Sequence, residues 1–223
     1  MSGVPEFIEG ERVSALAPGR RVGVVVIRVG DRVAGRISER DVVEIGVRTG
    51  TLWTEELARR VAEADETERA RVVARRMLNA RMRSRAELIE KIVGKEFSAA
   101  SAARVADELE RAGLIDDARL AASLVGSLRR RGGAGRRLIE QKLRARKIGR
   151  EVADDAIEGA LAGVDPYEEA LALARGRAAR MKSDTDRAAR TRRLHGFLAR
   201  RGYEGDVCWR VVREVVGGDA GDG

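Results

Sequence analysis

The sequence predicts a mainly α-helical protein built from three tandem three-helix units, preceded by a small β-hairpin and helix segment. Three observations carry this. From about Thr67 onward, apolar residues recur at helical spacing almost without interruption. The punctuation between the periodic stretches consists of helix caps. One apolar pattern also returns at shifts of 51 and then 55 residues.

The first 50 residues read differently. RRVGVVVIRVGDRVAGRI, Arg20 to Ile37, is β-branched on both sides of Gly30-Asp31, which predicts a hairpin with a glycine-containing turn. Ser38 is a natural N-cap with Asp41 at capping-box spacing, so DVVEIGV is expected to continue as a short helix, and Thr54 caps EELARRVAEA. Trp53 is expected to pack in a core. Beyond this segment the predicted helices span 67–82, 85–95, 99–112, 117–131, 136–147, 150–162, 166–181, 190–201 and 206–216. Ser84 with Glu87 forms a capping box, Ser98 caps the next helix, and Gly113 and Gly202 sit where C-terminal glycines belong. Asp165-Pro166 places an acidic cap before a proline at the first helical position.

The second helix of each trio shows the repeat. Leu88, Ile92 and Phe97 correspond to Ile139, Leu143 and Ile148, and again to Leu194, Leu198 and Tyr203. The i, i+4 pair faces a core, and the third residue falls in the following turn, where it plugs the gap before the next helix. Third helices contribute Val105-Leu109, Ile157-Leu161 and Val212-Val216. First helices contribute Val73-Met77, Leu120-Leu124-Leu128 and Ala170-Leu171-Ala174. The expected divisions are 1–64 for the N-terminal segment, 65–115, 116–164 and 165–217 for the repeats, and 218–223 for a disordered tail lacking large apolar side chains.

The 223 residues carry a net charge of +8, unevenly placed. Met1 to Ala64 holds ten basic and ten acidic side chains, and Asp65 to Asp117 eleven of each. Arg129 to Arg150 holds ten basic residues against Glu140 alone, and Arg175 to Arg201 ten against Asp184 and Asp186. Charge concentrated in this way points to a polyanionic partner. The alternative is a solvated arginine-rich surface.

Catalytic chemistry is not indicated. One cysteine, Cys208, excludes an intrachain disulfide, and one histidine with one cysteine cannot build a zinc site of the usual ligands. His195, near the start of predicted helix 190–201, reads as a surface or helix-end residue, and Cys208 as a packed one. Asp116-Asp117 and Asp154-Asp155 lie in first helical turns, where the dipole favours anions. Gly132-Gly133-Ala134-Gly135 precedes a helix as a phosphate loop would. It lacks the accompanying lysine-serine pair and a preceding strand, and reads as a flexible helix entry. No cofactor or metal is expected. No apolar run approaches the ~20 residues of a bilayer span, and no signal-peptide pattern opens the chain. The expectation is a cytoplasmic protein, a non-enzyme, that works by binding.

Several separated motifs, in order, resemble the RecX family of bacterial regulators of the RecA recombinase. RMLNARMRSRAELIEKI carries an R-x-R-S turn (Arg81 to Ser84), then Glu87-Leu88 and Lys91-Ile92. LERAGLIDDARLAASLV resembles the following G-L-[IL]-[DN]-D-x-R-[FL]-A signature, Gly113 to Ala121. GAGRRLIEQKLRARKI and LHGFLARRGYEGD resemble the second and third repeat motifs, and VGDRVAGRISERDVVEIGVRTGTLWTEEL resembles the N-terminal extension of many members. Two plugs depart from the family's K-G-F and K-G-I, reading Lys95-Glu96-Phe97 and Arg146-Lys147-Ile148.

The resemblance implies an elongated arrangement of helix-turn-helix-like modules that binds RecA–single-stranded DNA filaments in their helical groove. Bound there, it would inhibit ATP hydrolysis and strand exchange, acting in recombination and DNA repair under the SOS response, as a monomer. Candidate filament or DNA contacts are Arg129, Arg130, Arg131, Arg136, Arg137, Arg144, Arg146 and Lys147, then Arg192, Arg193, Arg200 and Arg201. Reversing Arg136 and Arg137 to glutamate is expected to keep the fold and weaken binding. The rival reading is a helix-turn-helix transcriptional regulator. Against it, Asn79 and Gln141 are the only amide side chains available for reading bases. A general single-strand binder would want aromatic platforms, and the few aromatics sit at core-like positions.

Overall fold

A computed structural model describes residues 10–181 and 186–218; of the tail expected at 218–223, residue 218 ends the last helix and 219–223 lie outside the described residues. Ten helices and one three-stranded antiparallel sheet are present among them, in two compact units, Met1–Ile115 and Asp116–Gly223.

In the first unit, β1 (Val13–Pro18), β2 (Val24–Val29) and β3 (Arg32–Ser38) form a sheet of order β1-β2-β3. The β2–β3 hairpin turns at Gly30-Asp31 as the sequence predicts, with Gly30 at φ 56°. Strand β1 has no counterpart in the pattern read from the sequence. VSALAP has a single β-branched residue and ends in proline, so its strand state comes from pairing with β2 and from Val13 entering the core.

Helix α1 (Glu39–Ile45) starts at the Ser38 cap, whose hydroxyl accepts from the Asp41 backbone N–H at 3.1 Å. Helix α2 (Glu55–Ala80) is one unbroken 26-residue helix, not two. It crosses the division expected at residues 64 and 65. Thr67, read as the start of a new helix, instead turns its hydroxyl back to donate to the Glu63 carbonyl at 2.8 Å, and no glycine or proline interrupts the run.

Two cores share this helix. Leu57, Ala58, Val61 and Ala64 pack on the sheet with Ile27, Ile37 and Trp53. Ala70 and Ala74 pack in the first repeat against α3 (Arg85–Val93) and α4 (Ala99–Arg111). Val73 and Met77, the expected core pair, are only half-buried; alanines take their place, being small enough for the helices to approach closely. The predicted Ser84 capping box forms in full. Arg104 of α4 reaches the buried Asp41 carboxylate at 2.5 Å and fastens α1 to the repeat.

Glu66 on α2 accepts from the Ser98 amide at 3.0 Å and from the Ser98 and Ser101 hydroxyls at 2.6 Å each. Burial pushes its carboxyl pKa up, but these hydrogen bonds and Arg69 outweigh burial and leave it lowered. A lowered folded-state pKa contributes stability above the unfolded value of about 4.3 and loses it as pH falls through the folded value. Glu66→Gln should therefore flatten the acid-side loss of stability of the first unit. Urea midpoints of both proteins measured between neutral pH and ~3 check this; parallel pH curves would rule it out.

The second unit holds α5 (Asp117–Arg130), α6 (Arg136–Ala145) and α7 (Arg150–Leu161), then α8 (Pro166–Ala178), α9 (Arg187–Arg200) and α10 (Gly205–Gly218). Ile139 and Leu143 centre one core, Leu194 and Leu198 the other, all fully buried. Ile148 and Tyr203 are buried in the plug position, and Phe97 in the first repeat is half-buried. The residue before each plug has positive φ: Glu96 at 66°, Lys147 at 54° and Gly202 at 82°. The left-handed turn that the family's glycine would make without strain is thus kept here by two residues that carry a Cβ.

Candidate polyanion-binding surface

The second unit carries all twelve cationic candidates, and the fold divides them into two groups. Arg129 and Arg201 belong to a junction between the second and third repeats. Arg129, in the last turn of α5, pairs with Glu169 of α8 at 3.0 Å, both side chains about three-quarters buried. Tyr203 donates its hydroxyl to the same carboxylate at 2.7 Å, and burial followed by this bond pushes the phenol pKa up. Arg201 donates to the carbonyls of Gly132 and, at 3.1 Å, Gly133, while its guanidinium lies 4.8 Å from the Phe197 ring centre.

The glycine run before α6 is therefore not a loose helix entry. The Gly135 N–H donates to the Arg201 carbonyl at 2.8 Å and the Arg137 N–H to the Gly202 carbonyl at 3.2 Å, which seats the loop directly on the turn between α9 and α10. A Cβ at Gly135 would overlap the Gly202 peptide, and one at Gly202 would lie 2.6 Å from Leu138 Cβ. The glycines are there because two backbones meet. Sequence proximity could not reveal this, since the partners are almost 70 residues apart.

Arg137 is also drawn toward the junction, pairing with Glu204 although its side chain is 63% exposed. Its reversal to glutamate would set two carboxylates together, so the Arg136 and Arg137 pair probes this junction as well as the contact surface. Arg136 makes a long 3.7 Å contact with Glu140 along α6. Arg146 is half-buried and Lys147 exposed, and both are engaged within the chain.

The second group comprises Arg130, Arg131 and Arg144 in the second repeat and Arg192, Arg193 and Arg200 in the third. All six are exposed and lack a charged partner among the described residues. Arg130 and Arg131 close α5, where the helix dipole favours them. Arg144 lies on α6 opposite the Ile139–Leu143 stripe, as helical spacing requires.

Other expectations resolve simply. Cys208 is fully buried, 3.6 Å from the Tyr203 carbonyl, and burial pushes its thiol pKa up. Asp116 caps α5, accepting from the Arg119 amide at 2.8 Å. His195 is not near a helix start, because α9 begins at Arg187; it stands mid-helix and stacks on Trp209 of α10. Trp209 itself is exposed, whereas Trp53 and Tyr203 are buried and Phe97, Tyr167 and Phe197 half-buried. Among the described residues no cluster of ligating side chains could hold a metal, and no helix is long and apolar enough to cross a membrane.

The described residues thus define a class of mainly helical proteins built from tandem three-helix repeats, with the cationic candidates on the second unit. Models of the first, second and third three-helix domains of RecX match residues 70–109, 116–157 and 164–212. Over 151 residues the chain is 38% identical to regulatory protein RecX of Mycobacterium ulcerans, covering 68% of this chain and 87% of that one. Over 163 residues it is 40% identical to regulatory protein RecX of Mycolicibacterium vanbaalenii, covering 68% and 86%. A crystal structure of regulatory protein RecX superposes with a TM-score of 0.71 at 24% identity, covering 90% of this chain and 98% of that one. RecX from Lactobacillus salivarius gives 0.56 at 22%, covering 68% and 97%. The chain belongs to the RecX family of regulatory proteins.

Proposed function

We propose that the protein binds RecA–single-stranded DNA filaments and lowers RecA ATPase and strand-exchange activity, acting as a monomer in the cytoplasm. Its working divisions are the three repeats, with the second as the principal anchor. Family membership supports the partner, and one observation supports the surface: six of the twelve candidate cations, Arg130, Arg131, Arg144, Arg192, Arg193 and Arg200, are exposed and have no charged partner among the described residues. Cations left unpaired in the fold are available to phosphates or acidic protein surface, and several modest contacts on one scaffold multiply by effective concentration.

Arg130→Glu with Arg131→Glu and Arg144→Glu is therefore the informative variant, because none of the three supports the junction. It should retain the parent's circular dichroism, with a melting temperature lowered only slightly by the loss of two dipole-favoured cations at the end of α5. Its half-inhibitory concentration against single-strand-dependent RecA ATPase should rise on the order of 10- to 100-fold, most at low salt. Undiminished inhibition by the folded variant would remove these residues from the contact surface. Tight binding to specific duplex DNA, with no advantage for the coated strand, would instead favour a transcriptional regulator.

A further inference from the structure

Two rings meet on the outer side of the third repeat. His195 of α9 and Trp209 of α10 have centroids 4.4 Å apart and planes tilted by 38°. Trp209 is 51% exposed, whereas Trp53 is 1% exposed. The buried faces of both helices are already filled by Leu194, Leu198, Cys208, Val211 and Val212, so the indole is not needed to complete that core. An indole left in water, braced from one side by an imidazole, presents a flat π-face held in place by two helices.

The charges around it are suited to a nucleotide. Arg192 lies one turn before His195 on α9, and Arg213 one turn after Trp209 on α10, each on the face of its neighbouring ring. Both arginines are exposed and without a charged partner among the described residues. The neighbouring carboxylate is Asp206, three residues before Trp209 and also exposed. Arg210 is directed elsewhere, over the Tyr167 ring at 4.5 Å, and Glu214 is held by Arg175 and Tyr167.

We propose that the His195–Trp209 pair is a stacking platform for an unpaired base of single-stranded DNA, with Arg192 and Arg213 meeting the flanking phosphates. A stacked base needs an open π-face and its backbone needs cations about a nucleotide away, and this patch supplies both. Duplex DNA offers no free base face, and an acidic peptide would engage the arginines but gain little from the indole. The proposal deepens the filament-binding reading, adding a direct contact to the strand that the filament carries.

The test uses the full chain and bare DNA, without recombinase. Oligo-dT should quench tryptophan emission, and Trp209→Phe should abolish most of the quenching, since Trp53 is shielded. Trp209→Ala should keep the parent's melting temperature and bind oligo-dT about 5- to 150-fold more weakly. An abasic strand of equal length should bind parent and Trp209→Ala alike. Equal affinity of Trp209→Ala and parent for oligo-dT would overturn the platform, as would quenching by polyglutamate but not by oligo-dT. The same proteins assayed on RecA filaments separate the two ideas. Inhibition without oligo-dT quenching defeats the platform alone, and quenching without inhibition defeats the filament reading alone.

Discussion

Gly202→Ala is expected to loosen the junction between the second and third repeats and to cost about 2–4 kcal/mol of stability in the second unit. Two effects add. At φ 82° an alanine sits in the left-handed region that its Cβ disfavours, at about 1 kcal/mol. The same Cβ meets Leu138 at its Cβ and at its backbone, which belongs to the first turn of α6 and cannot swing aside like a flexible side chain. The Arg137–Gly202 and Gly135–Arg201 backbone bonds then stretch together. Amide hydrogen exchange should rise across residues 132–138 and 199–204, with the denaturation midpoint lowered. Glu96 provides the control, being the first repeat's equivalent with its own positive φ of 66°. Glu96→Gly should alter stability by no more than about 1 kcal/mol, because it relieves the conformation while adding chain entropy. If Gly202→Ala is as stable as the parent, the close approach of the two backbones is wrong.

Leu143→Asp should unfold the second repeat altogether. Leu143 is fully buried beside Ile139, Val125 and Ile157, and truncating such a residue already costs about 2–5 kcal/mol. A carboxylate placed there finds no cation inside the cluster, so the desolvation penalty of several kcal/mol adds to the lost packing. The sum approaches the whole stability of a small domain, about 5–15 kcal/mol. Because the junction is built on α5 and on the loop before α6, the exposed edge of the third repeat should lose protection as well. Circular dichroism and limited proteolysis read this directly: a native-like helical signal with unchanged resistance would contradict the core assignment. The RecA inhibition proposed above should disappear with the fold. In the Arg130, Arg131 and Arg144 variant it should weaken with the fold intact, so the pair separates scaffold from surface.

The repeat was legible because its signal is local. An i, i+4 apolar pair and a plug five residues later follow from helix geometry alone, and Leu88, Leu143 and Leu198 are all fully buried. Capping chemistry is equally local, which is why Ser84, Ser98 and Asp165 mark the starts of α3, α4 and α8. Where the sequence misled, a distant contact was decisive. β1 is a strand because β2 lies beside it, and α2 continues past residue 64 because one face is buried first by the sheet and then by the repeat. The cationic surface was legible as composition but not as chemistry. Arg129 and Arg130 are neighbours in the chain, yet one is held by Glu169 and the other is solvent-exposed.

The sequence by itself determined the three-helix repeat, its plugs and caps, the concentration of charge after Asp117, and the resemblance that led to the family. All of these arise within a few turns of helix or from summed charge. Only the tertiary structure decided which arginines hold the fold and which remain for a partner. It also decided why Gly135 and Gly202 are glycines, and that Trp209 faces water beside His195. Those outcomes depend on groups from distant parts of the chain coming within a few ångströms, where Coulomb attraction and steric overlap act. Helical spacing does not encode that distance.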